Sequence, residues 1–135
     1  MEFRLEASSR LPIYRQIVQQ VREGVARGHL TFGEQLPSVR ELSRILVVNP
    51  NTIARAYVEL EREGILNNQP GRGVFVAEPR AQFAKEVRRR RLIELIDKFL
   101  TEAVHLGFSE ADVLRLLAAR SEQFQWEPGK LETGR

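Results

Sequence analysis

Residues 38–62 read SVRELSRILVVNPNTIARAYVELER, and this stretch decides the fold. Ser38 followed by Glu41 is the Ser-x-x-Glu pattern, in which a hydroxyl and a carboxylate each satisfy an orphan amide, so a helix starts there. Val39, Leu42, Ile45 and Leu46 recur at helical spacing and give it one apolar face. Val47 and Val48 leave room only for a short turn. Asn49 can then cap a further helix with Pro50 at its first position, where a missing N–H costs nothing. Ile53, Ala56, Tyr57 and Leu60 are its buried stripe, and Gly64 stops it. Two helices joined by a tight turn, the second opening on polar residues, form the pattern in which the second helix enters the major groove of DNA N-terminus first.

Upstream, Pro12 is followed by Ile13, Tyr14, Ile17, Val18, Val21 and Val25 at helical spacing, with Arg15, Gln19, Gln20, Arg22 and Glu23 on the other side. The spacing predicts a helix from Pro12 to Arg27, ended by Gly28. Phe3 and Leu5 alternate with charged neighbours and suggest a short strand. Downstream, Ile65-Leu66, the turn residues Gln69-Pro70-Gly71-Arg72-Gly73 and Val74-Phe75-Val76 predict a hairpin, placed where a wing would follow the helices. This first unit is expected over residues 1–79, with its core at about 11–77.

Residues 80–124 have a different pattern. After the run Arg88 to Arg91, the apolar residues Leu92, Leu95, Ile96, Phe99, Leu100, Ala103 and Val104 predict one long amphipathic helix. Leu106-Gly107-Phe108 interrupts it, and Ser109 with Asp112 restarts a second, whose apolar side includes Val113, Leu114 and Leu117. Two helices cannot enclose a core alone. The stripe predicts a two-fold dimer joined through Leu92, Leu95, Ile96, Phe99, Leu100, Ala103, Val113, Leu114 and Leu117. Periodicity is lost from Gln125, so residues 125–135 are expected to be a poorly ordered tail. The expected fold class is mostly α with a small β-hairpin: an N-terminal winged helix-turn-helix followed by a two-helix dimerisation segment.

The composition narrows the chemistry. Twenty-one Lys and Arg against eighteen Asp and Glu give a net charge of +3, a mild basic excess that suits a nucleic-acid partner. With no cysteine there is neither a disulfide nor a thiolate metal site, which fits a reducing cytoplasm. The first ten residues hold no apolar leader, and no stretch reaches the roughly 18 apolar residues of a membrane span, so a soluble, cytoplasmic protein is expected. His29 and His105 lack neighbouring ligands, which predicts no metal, and no nucleophile triad or phosphate-binding loop suggests an enzyme or a cofactor.

The candidate DNA contacts are Ser38, Arg40, Asn49, Asn51, Thr52 and Arg55 on the helices and Gly71, Arg72 and Gly73 in the wing. Asn pairs bidentately with adenine and Arg with guanine, while Thr presents a hydroxyl and a methyl. The same Asn and Thr residues also favour helix starts, and a cap alone would explain them one by one. Glycines beside Arg72 let the wing backbone approach the duplex while the arginine enters the minor groove or meets phosphate. Arg88 to Arg91 point around their helix, as expected of a solvated or dimer-flanking segment. A protein-docking winged helix, or a sensor with a ligand between its C-terminal helices, are the rival readings; no convergent polar groups require an effector.

Pro12-Ile13-Tyr14, Leu36-Pro37-Ser38-Val39-Arg40-Glu41-Leu42, Asn49-Pro50-Asn51-Thr52-Ile53-Ala54-Arg55-Ala56-Tyr57, Glu63-Gly64 and Gly71-Arg72-Gly73-Val74-Phe75-Val76 together resemble the GntR family of transcription regulators. The short C-terminal part resembles its YtrA-like subfamily. The resemblance implies DNA-reading roles for Arg40, Asn49, Asn51, Thr52 and the wing around Arg72 and Gly73. It also implies a homodimer acting as a repressor on palindromic operator DNA, often of transporter genes. Many members carry Arg where this chain has Pro50, so a common base-reading arginine is absent here, and Arg55 either replaces its contact or does not.

Overall fold

The computed structural model describes residues 1–79 and 85–126. The chain divides into two compact units: one holds Met1–Pro79 and takes in Gln125 as well, while the other ends at Phe124 and contains the two C-terminal helices.

The N-terminal unit runs α1 (Ile13–Ala26), β1 (Gln35–Leu36), α2 (Val39–Leu46), α3 (Pro50–Arg62), β2 (Leu66–Gln69) and β3 (Gly73–Val76). Every helix start follows the local chemistry. Pro12 is the N-cap of α1, and Ser38 and Glu41 form the full reciprocal capping box of α2. In front of α3 the Asn49 side chain accepts the Asn51 N–H at 2.8 Å, with Pro50 at the first helical position. The α1 stripe of Ile17, Val21 and Val25 packs across Ile53, Ala56 and Leu60 of α3, with Leu42 of α2 closing one side. Leu36, Leu66 and Val76 bring the three strands onto the same core.

The sheet has three antiparallel strands in the order β1-β3-β2, so the expected hairpin is joined by a third strand pairing Gln35 with Phe75 and Leu36 with Val74. The two residues of β1 are too few to carry an alternating pattern. At the hairpin tip Gln69 accepts the Arg72 N–H at 2.9 Å, with Pro70 and then Gly71 at φ +79°, the geometry of a type II turn.

Phe3 and Leu5 are not in a strand. Their side chains do pack on the core, but the backbone between them pairs with a helix instead. The Gln20 amide accepts the Arg4 N–H at 2.9 Å and donates to the Arg4 carbonyl at 2.7 Å. Gln16 does the same for Glu6, at 2.8 and 2.9 Å. Two amide side chains one helical turn apart thus replace a neighbouring strand, because each carries both a donor and an acceptor.

Gln125, expected to begin a loose tail, is instead tied to the N-terminal unit. Its amide donates to the carbonyls of Val25 at 2.7 Å and Leu30 at 3.2 Å, and its backbone N–H donates to Ala26. These carbonyls lie at the end of α1 and in the loop after it, where intrahelical partners run out. The remainder of the expected tail, 127–135, lies outside the described residues, as do 80–84.

The second unit contains α4 (Lys85–His105) and α5 (Glu110–Ser121). Gly107 at φ +85° turns the chain between them, and the Ser109 hydroxyl caps α5 by accepting the Asp112 N–H at 3.1 Å. Ala103, in the last turn of α4, and Val113, in the first turn of α5, are its buried apolar residues. Among the described residues no helix is long and apolar enough to cross a membrane.

Candidate nucleic-acid interface

The turn between α2 and α3 is held by side chains as well as by length. Val48 donates its N–H to the Ser43 carbonyl at 3.1 Å, while the Ser43 hydroxyl donates to the Val48 carbonyl at 2.6 Å. Val47 takes the left-handed conformation at φ 54° with its side chain in solvent, an unfavourable state for a β-branched residue that the turn imposes. From α3 the Tyr57 hydroxyl donates to the Pro37 carbonyl at 2.7 Å, tying this helix to the segment that starts α2. Burial, and then the negative charge of Glu41, push the Tyr57 phenol well above its ordinary range, so it remains a donor at any working pH.

On this frame the candidates take distinct positions. Asn51 and Arg55 stand one turn apart on the exposed face of α3, with Thr52 half-buried beside them. Asn49 already uses its carbonyl oxygen as the cap, which leaves its amide N–H groups to offer. Ser38 is likewise engaged, its Oγ accepting the Glu41 N–H at 3.1 Å. Arg40 is exposed in the first turn of α2. Arg72 is exposed at the wing tip, where its carbonyl accepts the Gln35 amide at 3.1 Å. Gly73 sits at φ +129°, where the backbone favours glycine, and a Cβ there would also displace the Gln35 amide, meeting its Nε2 at 2.5 Å.

Charge is distributed unevenly over this unit. Arg22 pairs with Glu63 and Arg62 with Glu59, the latter at 3.0 Å, while Arg40, Arg55 and Arg72 make no ion pair with a carboxylate among the described residues. The candidate arginines Arg40, Arg55 and Arg72 thus keep their donors unspent, as Arg4, Arg10, Arg15 and Arg44 of the same unit also do. Arg55 has a different neighbour, its guanidinium carbon lying 3.9 Å from the centre of the Tyr14 ring on α1. Sequence reasoning placed Tyr14 in the apolar series of α1 and missed this contact. It also missed Gln35 and Ser43, whose roles depend on a strand and a turn too short to leave a pattern. Among the described residues no group of acidic or histidine side chains could hold a metal.

Residues 13–76 match the family described as bacterial regulatory proteins, gntR family. A chain named HTH-type transcriptional repressor YtrA, from Bacillus subtilis (strain 168), is 39% identical over 103 residues, covering 76% of this chain and 79% of its own. Among solved structures, one described as a transcriptional antiterminator from Listeria monocytogenes EGD-e superposes with a TM-score of 0.66 at 30% identity, over 96% of this chain and 98% of that one. A third, AraR(DBD) in complex with operator ORX1, aligns with a TM-score of 0.51 at 26% identity, over 57% of this chain and 96% of its own.

Proposed function

The chain belongs to the gntR family of bacterial regulatory proteins and is a YtrA-like transcription regulator, and we propose that it works as a homodimeric, sequence-specific repressor on a palindromic operator. One observation carries the reading: the exposed start of α3 and the wing present Asn51, Arg55 and Arg72 with side-chain hydrogen-bonding groups that no partner among the described residues uses. α3 lies in the major groove, Asn51 and Thr52 read base edges, and Arg40 and Arg72 hold phosphate or the neighbouring minor groove. Asn49 contributes through its amide N–H groups while its oxygen keeps the helix capped. The AraR domain named above, which aligns with 57% of this chain, is described in complex with an operator.

The C-terminal unit supplies the dimer. Leu92, Leu95, Ile96, Phe99 and Leu100 of α4, with Leu114 and Leu117 of α5, are 42–63% exposed in one chain. Exposed apolar residues in such number mark an interaction surface, and a second copy of the chain is the occupant that suits it. Ala103 and Val113 are already buried within one chain and serve the unit's own packing. Two-fold pairing sets the recognition helices about one helical turn of DNA apart, roughly 34–36 Å, and repression follows from occluding polymerase. The reading places the protein in the cytoplasm, with no catalytic step and no obligatory small-molecule effector; transporter genes are the targets to examine first.

The test is a titration of the full chain against the duplex upstream of its own gene and a random duplex of equal length. An Asn51→Ala, Thr52→Ala, Arg72→Ala variant is run alongside. Wild type should prefer the upstream duplex and the variant should lose that preference, with affinity falling steeply as salt rises. Equal, weak binding of both proteins to both duplexes, repeated on genome fragments selected by the wild type, would sink the reading.

A further inference from the structure

Arg55 is an exposed arginine of α3 that makes no hydrogen bond or ion pair among the described residues, yet its guanidinium is not loose. It lies 3.9 Å from the centre of the Tyr14 ring, across the packed α1–α3 pair. A guanidinium is weakly hydrated over its face and strongly hydrogen-bonding in its plane, so stacking occupies the face and leaves the fork of N–H donors unused. A second guanidinium, that of Arg15, stands 5.9 Å from the same ring. Both cations gather at one half-buried tyrosine whose hydroxyl has no hydrogen-bond partner among the described residues. Arg62, the other arginine of α3, is paired with Glu59 instead. Ring and cation therefore make Arg55 the arginine of α3 that is held in place without being neutralised.

Resting on the DNA-binding reading above, we propose that Tyr14 is a positioning residue that presents Arg55 to a backbone phosphate at the side of the groove α3 enters. Phosphate rather than a base follows from placement: Arg55 is one turn behind Asn51, and its guanidinium rests on α1 instead of leading the helix into the groove. A long side chain ordinarily loses its rotamer freedom on binding, and the stack removes part of that loss beforehand. The ring acts through Arg55, and its hydroxyl is dispensable.

The experiment compares wild type, Tyr14→Phe, Tyr14→Leu, Arg55→Ala and the Tyr14→Leu/Arg55→Ala double variant on the upstream duplex and on a random duplex across a salt series. Tyr14→Leu should weaken binding to both duplexes by the same factor, about 3- to 10-fold, with Tyr14→Phe unchanged. In the Arg55→Ala background Tyr14→Leu should have no further effect. Arg55→Ala should lower the salt slope by about one. In the DNA-free protein, the Arg55 side-chain protons should show an upfield ring-current shift in wild type and Tyr14→Phe. Should Tyr14→Leu prove unfolded, Arg55→Lys carries the test, since it keeps the charge at an exposed position without a planar group, and should lose affinity by a similar factor. Independent, multiplicative losses in the double variant would overturn the proposal while leaving DNA binding intact, as would a loss confined to the upstream duplex, wild-type binding by Arg55→Lys, or no ring-current shift. A wild-type chain that binds neither duplex nor any selected fragment would remove the DNA-binding reading, and this inference with it.

Discussion

The two units bury their apolar residues to very different degrees. In the N-terminal unit Ile17, Val21, Ile53, Ala56 and Leu60 have no accessible surface, and three helices and a small sheet close over them. In the C-terminal unit Ala103 and Val113 are buried, whereas Leu92, Leu95 and Phe99 are 57%, 63% and 45% exposed. Composition does not cause the contrast, because both units are rich in Leu, Ile and Val. Geometry does: several elements meeting from different directions can surround a side chain, and two helices in one chain cannot. One unit closes its own core, and the other leaves its apolar stripe uncovered in one chain.

The largest expected effect breaks the contrast at its exposed end. Phe99→Glu puts a charge into the stripe of each copy, so a two-fold interface loses the burial of two phenylalanines, roughly 1.5–3 kcal/mol apiece, and must also desolvate two carboxylates. Sedimentation should show dimerisation weakened at least about 100-fold, with operator affinity falling alongside and the helical signal of the N-terminal unit retained. Unchanged association would mean that the stripe meets something other than its own copy.

Ile53→Ala tests the closed core. Ile53 has no accessible surface, so removing its outer carbons should cost about 2–5 kcal/mol, through lost transfer energy and the cavity left behind. Its diagnostic is the dependence on protein concentration. Melting of Ile53→Ala should be lowered for the N-terminal unit by the same amount at low and high concentration, whereas Phe99→Glu should act through association and follow mass action. If Ile53→Ala behaved like Phe99→Glu, the N-terminal core would be completed by a second copy too.

What the sequence discloses follows the same division between local and distant causes. The capping box at Ser38, the Asn49-Pro50 start and the Gln69–Gly73 turn involve residues within a few positions of one another, and the structure realises each. The alternation of Phe3 and Leu5 correctly indicates which residues face the core, but not that Gln16 and Gln20 would stand in for a strand. The β1 pairing, the Gln125 contacts and the stacking of Arg55 on Tyr14 each join distant segments. Such contacts have no local signature because the packed core sets their geometry. For the candidate site, the residue types and the Asn49 cap were legible, but the ring that Arg55 gains was not.

The smallest expected effect concerns how firmly each unit starts its helices. In the N-terminal unit the cap of α2 is reciprocal, with the Ser38 N–H donating to Glu41 Oε1 at 3.0 Å and the Glu41 N–H donating to Ser38 Oγ at 3.1 Å. In the C-terminal unit Ser109 receives the Asp112 N–H, but the Asp112 carboxylate turns to Arg115 at 3.0 Å. The Ser38 backbone N–H first, then its hydroxyl, then the charge of Arg44, hold the Glu41 carboxyl below its ordinary value of 4.5. A carboxyl lowered by folding contributes stability that is fully present above its unfolded value and is lost as pH falls through the folded one. Glu41→Gln keeps an acceptor oxygen and removes the titration. Its melting temperature should be slightly below wild type at neutral pH, with the gap closing as the buffer is taken below pH 4.5, because protonated Glu41 and Gln then cap alike. A gap that stayed constant through the acid range would show that the carboxylate charge adds nothing to the cap, and the two units would then differ in cap geometry alone.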